Sequence, residues 1–155
     1  MKWERRFYLE DEAATASLGA RLAAGLREGD VLALSGDLGA GKTALARALI
    51  RAASNEEDAE VPSPTFTLVQ TYECRNFEIW HFDLYRLAKP DDALELGIDE
   101  AFADAVSLIE WPERLGRYLP RQRLDILISL GAKESAREAL LTAHDDDWRE
   151  RLKIV

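Results

Sequence analysis

The sequence predicts an α/β fold built on a mixed, mainly parallel sheet with flanking helices and antiparallel strands. Two observations carry that reading. Helical periodicities alternate with short apolar runs along the chain, the order that lays helices on the faces of a parallel sheet. One pair of runs, on either side of Glu73 to Asn76, is spaced for a hairpin, which adds antiparallel pairing.

The elements follow in order. Across residues 11–27, Ala14, Leu18, Leu22 and Leu26 share one helical face, and Gly29 is the expected stop. Val31 to Leu34 reads as a short buried strand, and a second helix runs from Thr43 to Ala53 with Leu45, Leu49 and Ile50 on it. Residues 54–60 are polar and acidic, the composition of an exposed loop. Pro62 and Pro64 hold the chain extended into a strand expected at Thr65 to Val69. A hairpin turn at Glu73 to Asn76 leads into a strand over Phe77 to Phe82. Pro90 to Leu96 suits a helix with proline in its first turn and Gly97 closing it. Ala105 to Ile109 is another apolar strand. Leu124, Ile126, Ile128 and Leu130 alternate with Asp125, Leu127 and Ser129, a weaker strand signal. Asp146 to Leu152 forms a last helix, with Asp145, Asp146 and Asp147 placed to cap it.

Composition narrows the function. The 155 residues fit a single domain, and 47% hydrophobic with 32% charged residues is a globular balance. A net charge of −9 argues against broad nucleic-acid binding, which needs a basic surface. The one cysteine, Cys74, excludes an internal disulfide and a cysteine-based zinc site. No apolar run reaches the ~20 residues of a membrane span. The segment Met1 to Arg6 lacks the apolar core of a signal peptide, so a cytoplasmic location is expected.

Gly36-Asp37-Leu38-Gly39-Ala40-Gly41-Lys42-Thr43 satisfies the pattern G-x-x-x-x-G-K-[ST] in full, and Ala44 continues it into the helix. Glycines let successive backbone N–H groups converge on phosphate oxygens, and the helix amino terminus adds partial positive charge. Lys42 is suited to the β- and γ-phosphates of ATP, and the Thr43 hydroxyl to Mg²⁺. The expected strand before the loop and helix after it make this a P-loop NTPase-like fold.

A metal-bound triphosphate needs a carboxylate at a neighbouring strand end. Ile79-Trp80-His81-Phe82-Asp83 ends in one and Val106-Ser107-Leu108-Ile109-Glu110 in another. One acid can serve Mg²⁺ while the other orients or deprotonates a nucleophile, and spacing does not assign them. Ser63-Pro64-Thr65-Phe66-Thr67 is either a γ-phosphate sensor or ordinary strand chemistry. Trp111 suits a nucleotide base or the core. Arg114, Arg117, Arg121 and Arg123 form a local basic cluster, fit for a partner, RNA phosphate or an arginine lid, or simply solvated. His81 and His144 lack companions at metal-ligand spacing and read as structural.

Taken in order, the loop, Ser63-Pro-Thr-Phe-Thr-Leu68, His81-Phe-Asp-Leu-Tyr-Arg86, Glu95-Leu-Gly-Ile98 and Glu110-Trp-Pro112 resemble the TsaE family over roughly residues 9–130. The resemblance implies a P-loop ATPase that binds ATP with Mg²⁺ and hydrolyses it slowly. Its role would be to support threonylcarbamoyladenosine formation on tRNA with TsaD-type and TsaB-type partners, so that tRNA is met through the complex. It further implies Lys42 as the phosphate lysine, Thr43 and Glu110 at Mg²⁺, and Asp83 as the essential acid with Thr65 beside it. Trp111, Glu12 and Thr15 would border the nucleotide. Two other readings compete, a small-molecule kinase and a nucleotide-gated binding module without turnover. The kinase reading leaves His81-Phe-Asp-Leu-Tyr-Arg86 unexplained, and the paired acids weigh against the module.

Overall fold

The computed structural model describes residues 2–37, 39–56 and 60–155. Its strands are β1 (Trp3–Leu9), β2 (Val31–Ser35), β3 (Val69–Glu73), β4 (Glu78–Asp83), β5 (Val106–Glu110), β6 (Leu124–Leu130) and β7 (Arg137–Ala143). All join one sheet in the order β1-β7-β6-β2-β5-β4-β3. The pairings of β2 with β5 and β6, and of β4 with β5, are parallel; those of β1 with β7, β6 with β7 and β3 with β4 are antiparallel. β3 and β7 therefore oppose the common direction of the other strands, and the mixed, mainly parallel sheet read from the sequence is present.

Burial on both faces explains the apolar runs at the centre. On one face, α1 (Glu12–Ala24), α2 (Lys42–Ser54) and α4 (Asp146–Leu152) share a core with the sheet. Leu18, Leu45, Leu49 and Trp148 meet Leu34, Leu108, Ile126 and Leu141 there. On the other face, α3 (Ile98–Asp104) and two 3₁₀ segments, Pro90–Leu96 and Pro112–Tyr118, cover Val31, Phe82 and Ile109 with Ala93, Ile98 and Leu115. No helix among the described residues is long and apolar enough to cross a membrane.

Several expectations shift. The first helix ends at Ala24 with Gly25, not Gly29, as its cap, because the Gly25 N–H bonds back to the Leu22 carbonyl. Thr65 to Leu68 is a turn and not a strand: the Leu68 N–H bonds to the Pro64 carbonyl at 2.7 Å, and pairing begins only at Val69. The Cys74 N–H bonds to the Phe77 carbonyl and closes the expected hairpin. Gly97 does end the segment from Pro90, in a left-handed conformation at φ 86 that favours glycine. Asp145 caps the last helix by accepting from the Trp148 N–H at 2.8 Å. Of the acidic stretch 54–60, Glu57, Asp58 and Ala59 lie outside the described residues.

Candidate functional site

The parallel centre brings three carboxyl-terminal strand ends together, the side on which open α/β sheets bind ligands. Glu110, last in β5, is in register with Leu34 of β2 on one side and Asp83 of β4 on the other. The glycine loop leaves β2 here and enters α2. Gly36 takes φ 139, and a Cβ on it would collide with the Ile128 carbonyl, so the loop start admits only glycine. Gly41 precedes α2 without a side-chain cap, leaving the first-turn N–H groups without helical acceptors, the standard seat for an anion. Gly36, Asp37, Gly39, Ala40, Gly41, Lys42, Thr43 and Ala44 span the passage from β2 into that helix start, and Leu38 lies outside the described residues.

Lys42, Asp83 and Glu110 are all buried. The Lys42 ammonium donates to the Gly36 carbonyl and, at 3.2 Å, to the Asp37 carbonyl, and it lies 4.1 Å from the centre of the Trp111 ring. The Thr43 hydroxyl donates to Glu110 Oε1 at 3.0 Å and lies 3.1 Å from Oε2. Asp83 Oδ2 accepts from the Thr65 hydroxyl at 3.1 Å, and Oδ1 from the Tyr85 N–H at 3.1 Å. Ser63 continues the chain of hydroxyls, 2.8 Å from Thr65. The turn that replaced the expected strand is what delivers the Thr65 hydroxyl to Asp83.

Thr43 and Glu110 offer oxygen donors only, and no larger group of metal-binding side chains exists among the described residues. That set fits Mg²⁺, a hard cation that keeps several waters and takes one or two protein oxygens beside phosphate.

Glu12 and Thr15 sit elsewhere around the loop. With Gly41, Ala44, Ile128 and Arg137 they line a cavity of about 630 Å³ between α1 and α2. Neither Asp83 nor Glu110 lines it, and six alanines of α1 and α2 do. Trp111 packs against the core under α3, and its ring stands 4.9 Å from that of Tyr85 and 4.1 Å from the Lys42 ammonium.

Two residues here were not among the candidate site residues: His81, read from the sequence as structural, and Arg137. His81 is fully buried with Nε2 2.7 Å from Glu110 Oε2. Its signal was the alternation His81-Phe82-Asp83, which puts His81 and Asp83 on the strand face toward α2 and Phe82 in the opposite core. Arg137 of β7 donates from Nε to the Ala40 carbonyl at 2.9 Å and so ties the loop to the antiparallel flank. A lone arginine in a stretch without strand signal offered no clue. The basic cluster is partly spent internally, since Arg117 pairs with Asp91 and Arg123 with Asp125. His144 pairs with Asp125 at 2.6 Å, away from the loop, in keeping with a structural role.

A family model described as threonylcarbamoyl adenosine biosynthesis protein TsaE matches residues 9–139. The chain belongs to the TsaE family. It is 37% identical over 142 residues to the tRNA threonylcarbamoyladenosine biosynthesis protein TsaE of Rickettsia conorii, covering 92% of this chain and 81% of that protein. The protein of the same name from Bacillus subtilis is 38% identical over 144 residues, covering 92% and 85%. That from Haemophilus influenzae is 37% identical over 142 residues, covering 88% and 87%. The crystal structure of YdiB from Bacillus subtilis superposes with a TM-score of 0.81 at 28% identity, over 99% of this chain and 94% of that one. The TsaE match takes in the loop, both acids, His81 and Arg137, and stops before α4.

Proposed function

We propose that this TsaE-family chain is an ATPase that binds ATP with Mg²⁺ and hydrolyses it slowly. In the cytoplasm it would serve threonylcarbamoylation of the tRNA adenosine next to the anticodon, in a complex with TsaD-type and TsaB-type proteins. The observation that carries the reading is the convergence of Lys42, Thr43, Glu110 and Asp83 on the open end of the parallel strands, at a helix amino terminus. The names of the relatives supply the pathway.

Each residue has a task that its surroundings allow. The loop and α2 amino terminus receive the phosphates, and the α1–α2 cavity has room for the base and ribose beside Glu12 and Thr15. Lys42 moves its ammonium from two carbonyls of its own loop to the β- and γ-phosphate oxygens. Thr43 and Glu110 hold Mg²⁺, which when bound neutralises charge on those oxygens. Asp83, fixed at both oxygens by Thr65 and Tyr85, orients the attacking water and accepts its proton. Phe66, exposed and stacked under the Arg86 guanidinium at 4.5 Å, and exposed Tyr85 would offer a partner an aromatic surface.

The test is calorimetric ATP binding with and without Mg²⁺, followed by ADP formation with and without TsaD-type and TsaB-type proteins. Mg²⁺-dependent binding and partner-stimulated turnover are expected. Turnover that requires a small phosphoryl acceptor instead would make the protein a kinase.

A further inference from the structure

Glu110 is a buried carboxylate, and a buried carboxylate needs donors on every oxygen it does not lend to a ligand. Among the described residues only Thr43 and His81 donate to it through side chains. The Thr43 hydroxyl has one proton, which it presents between the two oxygens, 3.0 Å from Oε1 and 3.1 Å from Oε2. His81 approaches from the sheet interior and reaches Oε2 alone, at 2.7 Å. Since the carboxylate can only accept, the proton in this contact is assigned to His81 Nε2. The other ring nitrogen, Nδ1, is buried with no partner among the described residues, so the imidazole is aimed at Glu110 and nothing else.

We infer that His81 is a positioning residue for the cation site: it anchors Glu110 at Oε2 so that the carboxylate stays turned toward Thr43, where Mg²⁺ would be held. The inference rests on the ATP and Mg²⁺ reading above and adds a residue to it. Strand geometry makes the arrangement economical. His81 and Asp83 are two apart on β4 and share the face toward α2, so one strand both orients the metal carboxylate and supplies the second acid. β4 is flanked by β3 and β5, which removes freedom from the imidazole backbone while its ring is fully enclosed. Partners of this kind behind a metal ligand raise metal affinity by restricting the ligand to its useful orientation.

The experiment compares the whole protein with His81→Asn and His81→Gln. The Asn amide is too short to reach Glu110 from β4, whereas the Gln amide can place an N–H where Nε2 stood. Mn²⁺ is titrated into each protein with ATP and followed by electron paramagnetic resonance; ATP binding in EDTA is measured separately. His81→Asn should raise the Mn²⁺ concentration for half-saturation about ten- to hundredfold, and His81→Gln should restore most of the loss. Metal-free ATP binding should match the wild type in both. A folded His81→Asn protein that takes Mn²⁺ like the wild type overturns the inference alone. A wild type that takes no Mn²⁺ with ATP overturns the ATPase reading and the inference together. Should the variants fail to fold, ¹⁵N NMR of the wild-type histidine ring decides it. The Nε2–H form must persist when Mg²⁺ and ATP are added, and a move of the proton to Nδ1 rules the anchor out.

Discussion

At the carboxyl ends of β2, β4 and β5, Lys42, Asp83 and Glu110 are buried and held by neutral donors and acceptors or, for Glu110, by a histidine. In the flank made by β6, β7, β1 and α4, the charges pair with one another. Arg151 joins Asp30 and Asp147, Arg27 joins Asp147, and Arg123 joins Asp125. Among the described residues no lysine or arginine pairs with Asp83 or Glu110, and no acid with Lys42. A buried charge without a counter-charge costs stability and is kept where a ligand will supply the opposite sign. A charge that already has its counterpart in the chain serves the fold. The two regions thus differ in whether their electrostatics are complete.

The largest effect that sharpens this contrast is Lys42→Met, which removes the ammonium and keeps the stem. Turnover should fall about 10³-fold, while the melting temperature stays level or rises. A protein that keeps its turnover, or that loses several degrees of stability, would break the distinction. Next comes Asp83→Asn, which should lower turnover about 10²-fold with nucleotide binding intact. Glu110→Gln in the same assay should instead raise the Mg²⁺ concentration that activity requires. An exchange of these two patterns in a Mg²⁺ titration would reverse the roles of the acids.

The flank should answer in the opposite currency. Ile126 is fully buried in β6, beside Leu34 of β2 and Leu141 of β7, with no side chain at the loop. Ile126→Val should cost about 1 kcal/mol of stability, read from chemical denaturation, and leave ATP affinity unchanged. A weakened affinity would show that the flank transmits its packing to the loop, for which Arg137 at the Ala40 carbonyl is the available link.

The same contrast explains what was legible in the sequence. The central site demands particular atoms at fixed spacings: glycine at Gly36, an ammonium at Lys42, acids where β4 and β5 end. Such demands leave a motif. The flank demands only apolar bulk facing inward, and two of its strands hid. In β1 the inward positions are Trp3, Arg5, Phe7 and Leu9; Arg5 breaks the apolar alternation because its guanidinium reaches out to the Leu152 carbonyl at 2.8 Å. In β7 the inward residues are Ala139, Leu141 and Ala143, and alanine carries little strand signal. Within the site, the contact of His81 with Glu110 was hidden for a related reason. Its partner lies on another strand, and only the register of β4 against β5 brings them together.

Asp147 carries the smallest effect and isolates the electrostatic part of the flank. It lies in the first turn of α4, where a negative charge is favoured, and accepts from Arg27 and, at 3.3 Å, from Arg151. The Arg27 hydrogen bond, with the nearby Arg27 and Arg151 charges, holds its carboxyl below the ordinary aspartate range against a smaller opposing effect of burial. A carboxyl depressed in the folded state adds stability above its unfolded value of roughly 3.9. That contribution disappears as pH falls through the lower folded value. With 41% of the side chain exposed, solvent and salt screen the pair, so Asp147→Asn should cost only about 0.5 kcal/mol at neutral pH. Urea denaturation of wild type and variant at pH 7 and in strong acid checks the sign, since the gap should close in acid and narrow in high salt. A gap that persists in acid would place the contribution in helix packing and remove Asp147 from the set of completed charges.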